Sequence, residues 1–136
     1  MKYQYHIDGS LPKQTHWVWV FGSNEAGIHG GGAARVAHEI YNRPYGTPIG
    51  IYTSYNLQES YGIPTKNKRI ESLPLNKIKK YVDDFKKFVE DNPTKTFFVT
   101  RVGCVLAGYQ DKDIAPLFKG ISNNCSFAES WKKYLE

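Results

Sequence analysis

Residues 17–40, WVWVFGSNEAGIHGGGAARVAHEI, pass from an unbroken apolar run through a glycine-rich segment into a helical pattern. Residues 17 to 21 are aromatic or β-branched throughout, which predicts a central strand buried on both faces. Ala33, Val36, Ala37 and Ile40 then recur at helical spacing, and Asn42-Arg43-Pro44 stops the helix at about Tyr41. Between strand and helix lie Asn24 and the consecutive glycines Gly30, Gly31 and Gly32. Glycine gives up conformational entropy on folding, so a run of three needs a reason.

Working outward, residues 46 to 64 hold short β-prone pieces and predict at least one more strand with an irregular loop. In residues 76 to 90, Ile78, Tyr81, Val82, Phe85, Phe88 and Val89 share one face and lysines the other, the pattern of an amphipathic helix on a sheet. Asp91-Asn92-Pro93 breaks it. A second apolar strand, TFFVTRV (96 to 102), runs into another glycine-bearing loop, GCVLAGYQD. Beyond it we expect a short helix from Asp113 to about Lys119, a strand near 124 to 127, and a closing helix with Ser126 as a candidate cap. Strands alternating with helices predict a three-layer α/β/α sandwich around a mixed, largely parallel sheet. Ligands of such sheets bind beyond the carboxyl ends of the strands, where both glycine loops fall.

The 136 residues suit one domain, enough to bury roughly two-thirds of the unfolded surface. No apolar run is long enough to span a bilayer, and MKYQYHIDGS lacks the apolar centre of a secretory signal, so a soluble cytoplasmic protein is expected. Cys104 and Cys125 form neither a disulfide framework nor a zinc site and read as free thiols. The net charge of +5 comes largely from Lys77, Lys79, Lys80, Lys86 and Lys87 on one helix and from Lys132 and Lys133. A solvated helix face explains these better than a nucleic-acid surface, and the ten tyrosines do not alternate with basic residues as a stacking platform would.

A loop entering a helix offers unpaired N–H groups and the positive end of the helix dipole, a phosphate site. The familiar templates fail nonetheless. G-x-x-x-x-G-K-[ST] is missing, and G-x-G-x-x-G read from Gly30 ends on Arg35. His29-Gly30-Gly31-Gly32 repeats the HGGG of lipase oxyanion loops, but no G-x-S-x-G nucleophile accompanies it.

The strand ending in Asn24, followed by Gly30-Gly31-Gly32-Ala33, resembles the macrodomain signature in which an "NAAN" strand precedes a "GGGV" loop. TFFVTRVGCVLAGY is similar to the second macrodomain loop, usually "STGxYG" or "STGxFG". Together with YGIPTK, these blocks resemble small macro-like proteins of phages and bacteria over about residues 17 to 120. Two departures stand out. The acidic residue that usually contacts adenine has no clear counterpart, only Asp8 lying ahead of Asn24. "STG" is replaced by Arg101-Val102-Gly103, and Val105 stands where the small relatives have glycine.

The resemblance implies binding of ADP-ribose or a related NAD-derived nucleotide, with no cofactor. It places Gly22, Ser23, Asn24, Gly30, Gly31, Gly32 and Ala33 on one side of the ligand and Gly103, Cys104, Leu106, Ala107, Gly108 and Tyr109 on the other. Asn24 would meet the distal ribose or else tie its own turn. His29 faces the ligand or solvent, Tyr109 stacks on the ligand or caps the core, and Arg101 neutralises a phosphate or pairs with an acid. Cys104 reads as a packing thiol more readily than a nucleophile. The alternatives are an ADP-ribosyl hydrolase or ADP-ribose phosphate phosphatase, with Asn24, His29 and Asp111 as groups to position water, and a basic nucleic-acid-binding domain.

Overall fold

The computed structural model describes residues 2–14, 16–104 and 106–136. Six strands form one sheet: β1 (Gln4–His6), β2 (Val18–Asn24), β3 (Gly50–Thr53), β4 (Glu59–Lys66), β5 (Phe97–Val99) and β6 (Cys125–Ala128), in the order β1-β6-β5-β2-β4-β3. All neighbours run parallel except the β3–β4 pair. The helices are α1 (Gly32–Glu39), α2 (Leu75–Asp91), α3 (Asp111–Ile114) and α4 (Lys132–Leu135), with 3-10 turns at Ala115–Phe118 and Glu129–Trp131.

Alternation along β2 assigns the layers. Val18 and Val20 face Ile78, Val82, Phe85 and Val89 of α2 in the larger core. Trp19 and Phe21 face Ala34 and Ala37 of α1, with Tyr41 and Phe98, in the smaller one. Helix α1 is short and its inner face is mostly alanine, so it sits close on β2. The Trp19 indole donates to the Ala33 carbonyl at 2.9 Å and fixes the approach.

The sandwich and its largely parallel sheet are as the sequence predicts, and several boundaries differ. β1 went unread because it is three residues long and its side chains are exposed or half-buried. Residues 46 to 64 give two strands, an antiparallel hairpin whose second member is central. β5 ends at Val99, short of the expected 102; the Thr100 N–H and hydroxyl still donate to the Val20 carbonyl, at 3.1 and 2.7 Å, and the Val102 N–H turns back to the Thr100 carbonyl at 2.7 Å. Asp113 does not begin its helix: Gln110 is the cap, and Asp113, in the first turn, accepts the Gln110 N–H at 3.1 Å. Ser126 caps nothing; it lies within β6, and its hydroxyl meets Nδ1 of His6 at 2.8 Å. Cys104 and Cys125 are free.

Candidate functional site

A cleft of about 440 Å³ opens at the carboxyl ends of β2, β4 and β5, within the range of small-molecule sites. Gly31, Gly32 and Ala33 at the start of α1 form one wall. Gly103, Leu106 and Ala107 form the opposite wall. The segment Gly9–Leu11 crosses a third side, and Trp19, Phe98 and His6 lie along the floor.

The first wall is built to present backbone. Gly31 is extended (φ −152°) at the N-cap, no side chain caps the helix, and its first turn carries no acid. The opening N–H groups of α1, which have no partner inside a helix, therefore remain available to a ligand. Gly32 has φ +57°, a left-handed conformation that favours glycine. A Cβ at Gly32 would also come within 3.3 Å of Leu106 Cδ1 across the gap. At the base of the cleft, a Cβ at Gly22 would lie 3.3 Å from the Gly103 nitrogen, so glycine lets the β2 terminus and the second loop meet.

No carboxylate lines the cleft among the described residues, and one cation, Arg101, does. Arg101 is engaged: its Nε and Nη2 donate to the two oxygens of Asp111, each at 3.0 Å. Asp111 also accepts the Trp131 indole N–H at 2.7 Å. Hydrogen bonds from Arg101 and Trp131 outweigh burial and hold the Asp111 carboxyl below its ordinary range. Thr65 and Thr100 complete the polar lining, following the strand ends.

Of the residues singled out in sequence, Gly22, Gly31, Gly32, Ala33, Gly103, Leu106 and Ala107 meet around the cleft. Arg101 lines it too, paired with Asp111, and the others lie away from its lining. Asn24 uses its whole amide on one neighbour, donating to the Ile28 carbonyl at 2.7 Å and accepting the Ile28 N–H at 3.0 Å. Ser23 is buried and donates to the Pro48 carbonyl at 2.6 Å. His29 faces neither ligand nor solvent; it is 1% exposed, and its Nε2 lies 3.1 Å from the Pro44 carbonyl. Burial, then the nearby Arg43 charge, push its pKa down. Gly30 is exposed, and Gly108 turns the second loop at φ +82°. Tyr109 packs against the larger core and donates its hydroxyl to the Leu73 carbonyl. The Cys104 thiol, half-buried near Asp111, is pushed up to about 12, chiefly by burial, which makes it a poor nucleophile. Val105 falls outside the described residues.

The sequence reading missed His6, Trp19, Phe98, Thr65 and Thr100 in the cleft. For the threonines a signal existed, since polar residues just past parallel strands sit where ligands bind. For His6 there was none, because its strand was not legible.

No family model and no curated protein matches the sequence. Among solved structures, the fold is similar to that of Thermosipho africanus DarTG in complex with ADP-ribose, with a TM-score of 0.54 and 16% identity. The similarity covers 83% of this chain and 39% of that one, so this chain corresponds to well under half of the DarTG chain. At this identity the likeness shows a shared α/β fold.

Proposed function

We propose that the cleft binds ADP-ribose or a related NAD-derived nucleotide, with the diphosphate between the start of α1 and the Gly103–Ala107 side. The observation that carries this reading is the uncapped, acid-free N-terminus of α1 opening into a cleft that no carboxylate among the described residues lines. Such a wall attracts an anion through N–H groups and the helix dipole. Support comes also from the similar fold of DarTG in its complex with ADP-ribose. Gly31, Gly32 and Ala33 would contact phosphate, and Gly22 and Gly103 would let it sit close to the sheet. The unlined role left to Asn24 is to hold the turn that leads into this wall.

A thermal-shift panel of ADP-ribose, its cyclic and phosphorylated forms, NAD, ATP and GTP tests the proposal, because a ligand that binds only the folded state raises the melting temperature by mass action. ADP-ribose is expected to give the largest shift. A flat panel at millimolar ligand overturns the reading.

A further inference from the structure

The α1 face of the sheet carries a row of stacked rings. Tyr41 lies on Trp19 (centroids 5.6 Å apart, planes at 13°) and Trp19 on Phe98 (5.6 Å, 14°). The row ends at His6, whose ring lies 3.7 Å from that of Phe98 with the planes at 16°. Helix α1 covers the Tyr41 end, where Trp19 and Tyr41 are buried with its alanines. The His6 end borders the cleft.

His6 reaches that position because its neighbour is small. Paired with Ala128 of β6, it leans across Ser126, the register partner of Phe98, and lands on the Phe98 ring of β5. The Ser126 hydroxyl meets Nδ1 at 2.8 Å, which pins the ring about its χ angles and commits one nitrogen. Burial lowers the His6 pKa to about 4, so the imidazole is neutral at physiological pH. It adds a flat polar ring to the floor without adding charge. Asp8, by contrast, does not line the cleft, and its Oδ1 accepts the Ser130 N–H at 3.3 Å.

We propose that His6 recognises the base of the bound nucleotide, the nucleobase lying against the imidazole as a further ring of the row. This rests on the reading of the cleft as a nucleotide site. A pinned ring loses little freedom when a base stacks on it, and stacking suits any base because every base has a π-face.

The test compares a ligand with a base and one without. ADP-ribose affinity is measured by calorimetry and ribose 5-phosphate binding by NMR titration, for wild type, His6→Ala, His6→Gln and His6→Phe, after a melting curve confirms each fold. His6→Ala and His6→Gln should weaken ADP-ribose by about 5- to 100-fold, the span measured for losing one base–ring stack. His6→Phe, which keeps a ring, should stay near wild type, and all four proteins should bind ribose 5-phosphate alike. Equal ADP-ribose affinity in wild type and His6→Ala overturns the role of His6 while the nucleotide reading stands. So does a His6→Phe loss as large as that of His6→Ala, or a parallel loss of ribose 5-phosphate, which marks a purely structural residue. Failure of wild type to bind ADP-ribose overturns both.

Discussion

Arg101 and Asp111 face each other through two hydrogen bonds of 3.0 Å at the edge of the cleft, and Trp131 pins the carboxylate from behind. The pair joins the second loop to α3, and through Trp131 to the C-terminal part of the chain. Asp111→Asn should destabilise the protein by about 1 kcal/mol at pH 7, a partly exposed charged pair being screened by solvent. The folded-state pKa of Asp111 lies below its unfolded value, so this stabilisation is present above the ordinary aspartate value of about 3.9 and is lost as pH falls through the lower, folded-state value. Urea unfolding at pH 7 and near pH 3 should show the gap between wild type and Asp111→Asn closing in acid.

Two adjacent glycines should separate binding from folding. Gly31 is extended, and a Cβ there meets Leu106 Cδ1 at an ordinary 3.5 Å, so Gly31→Val should melt close to wild type while its branches fill the mouth of the cleft. ADP-ribose binding should drop below detection by thermal shift. Gly32→Ala forces a side chain into φ +57° and should cost about 1–2 kcal/mol of stability in denaturant titration. Normal binding by Gly31→Val would show that the phosphate lies elsewhere.

Asn24→Ala removes both bonds that hold Ile28 and should cost about 1–2 kcal/mol of stability. With its amide committed to the turn, Asn24 is not free to direct water, and among the described residues no carboxylate lines the cleft. Purified protein incubated with ADP-ribosylated protein or oligonucleotide should therefore release no ADP-ribose beyond the buffer control by chromatography. Rapid release abolished by Asn24→Ala would identify a hydrolase.

Most lysines of α2 are already paired within the protein. Lys79 pairs with Asp83 at 2.7 Å and Lys87 with Asp91 at 3.1 Å, and Lys86 donates to the Lys119 carbonyl at 2.6 Å. Changing Lys79, Lys80, Lys86 and Lys87 to glutamine should leave ADP-ribose affinity unchanged, since exposed charges are screened beyond about 8 Å at physiological salt. A nucleic-acid binder would behave otherwise. Its duplex affinity would fall steeply with salt, and losing four phosphate contacts would flatten that slope by about 3 to 4 units. A salt series with both proteins distinguishes the cases.

What could be read from the sequence followed the strength of the local pattern. β2 and α2 were legible because burial imposes a period on them: four consecutive buried residues in Val18–Phe21, and Ile78, Val82, Phe85 and Val89 along one helix stripe. The wall at Gly31 and Gly32 was legible because a run of glycines marks it, and at Gly32 the left-handed φ of +57° favours glycine. β1 and Ser126 were not, since a three-residue edge strand has no period and its pairing lies more than a hundred residues away. Asn24 and His29, which lie away from the cleft lining, were ambiguous in sequence for a related reason. Their residue types suit ligand chemistry, but the Asn24 amide closes a turn and the His29 imidazole is buried with only its Nε2 bonded, and sequence does not distinguish such uses from ligand contact.

The edge position of β1 bears on how the protein is made. Its neighbour in the sheet is β6, so residues 4 to 6 have no strand to join until residues 125 to 128 have been synthesised. At about 5–20 residues per second, the first strand waits several seconds beside a sheet that already holds β2 to β5. The His6–Phe98 stack, and with it this part of the cleft floor, therefore waits for β6 even though β2 and β5 are already made.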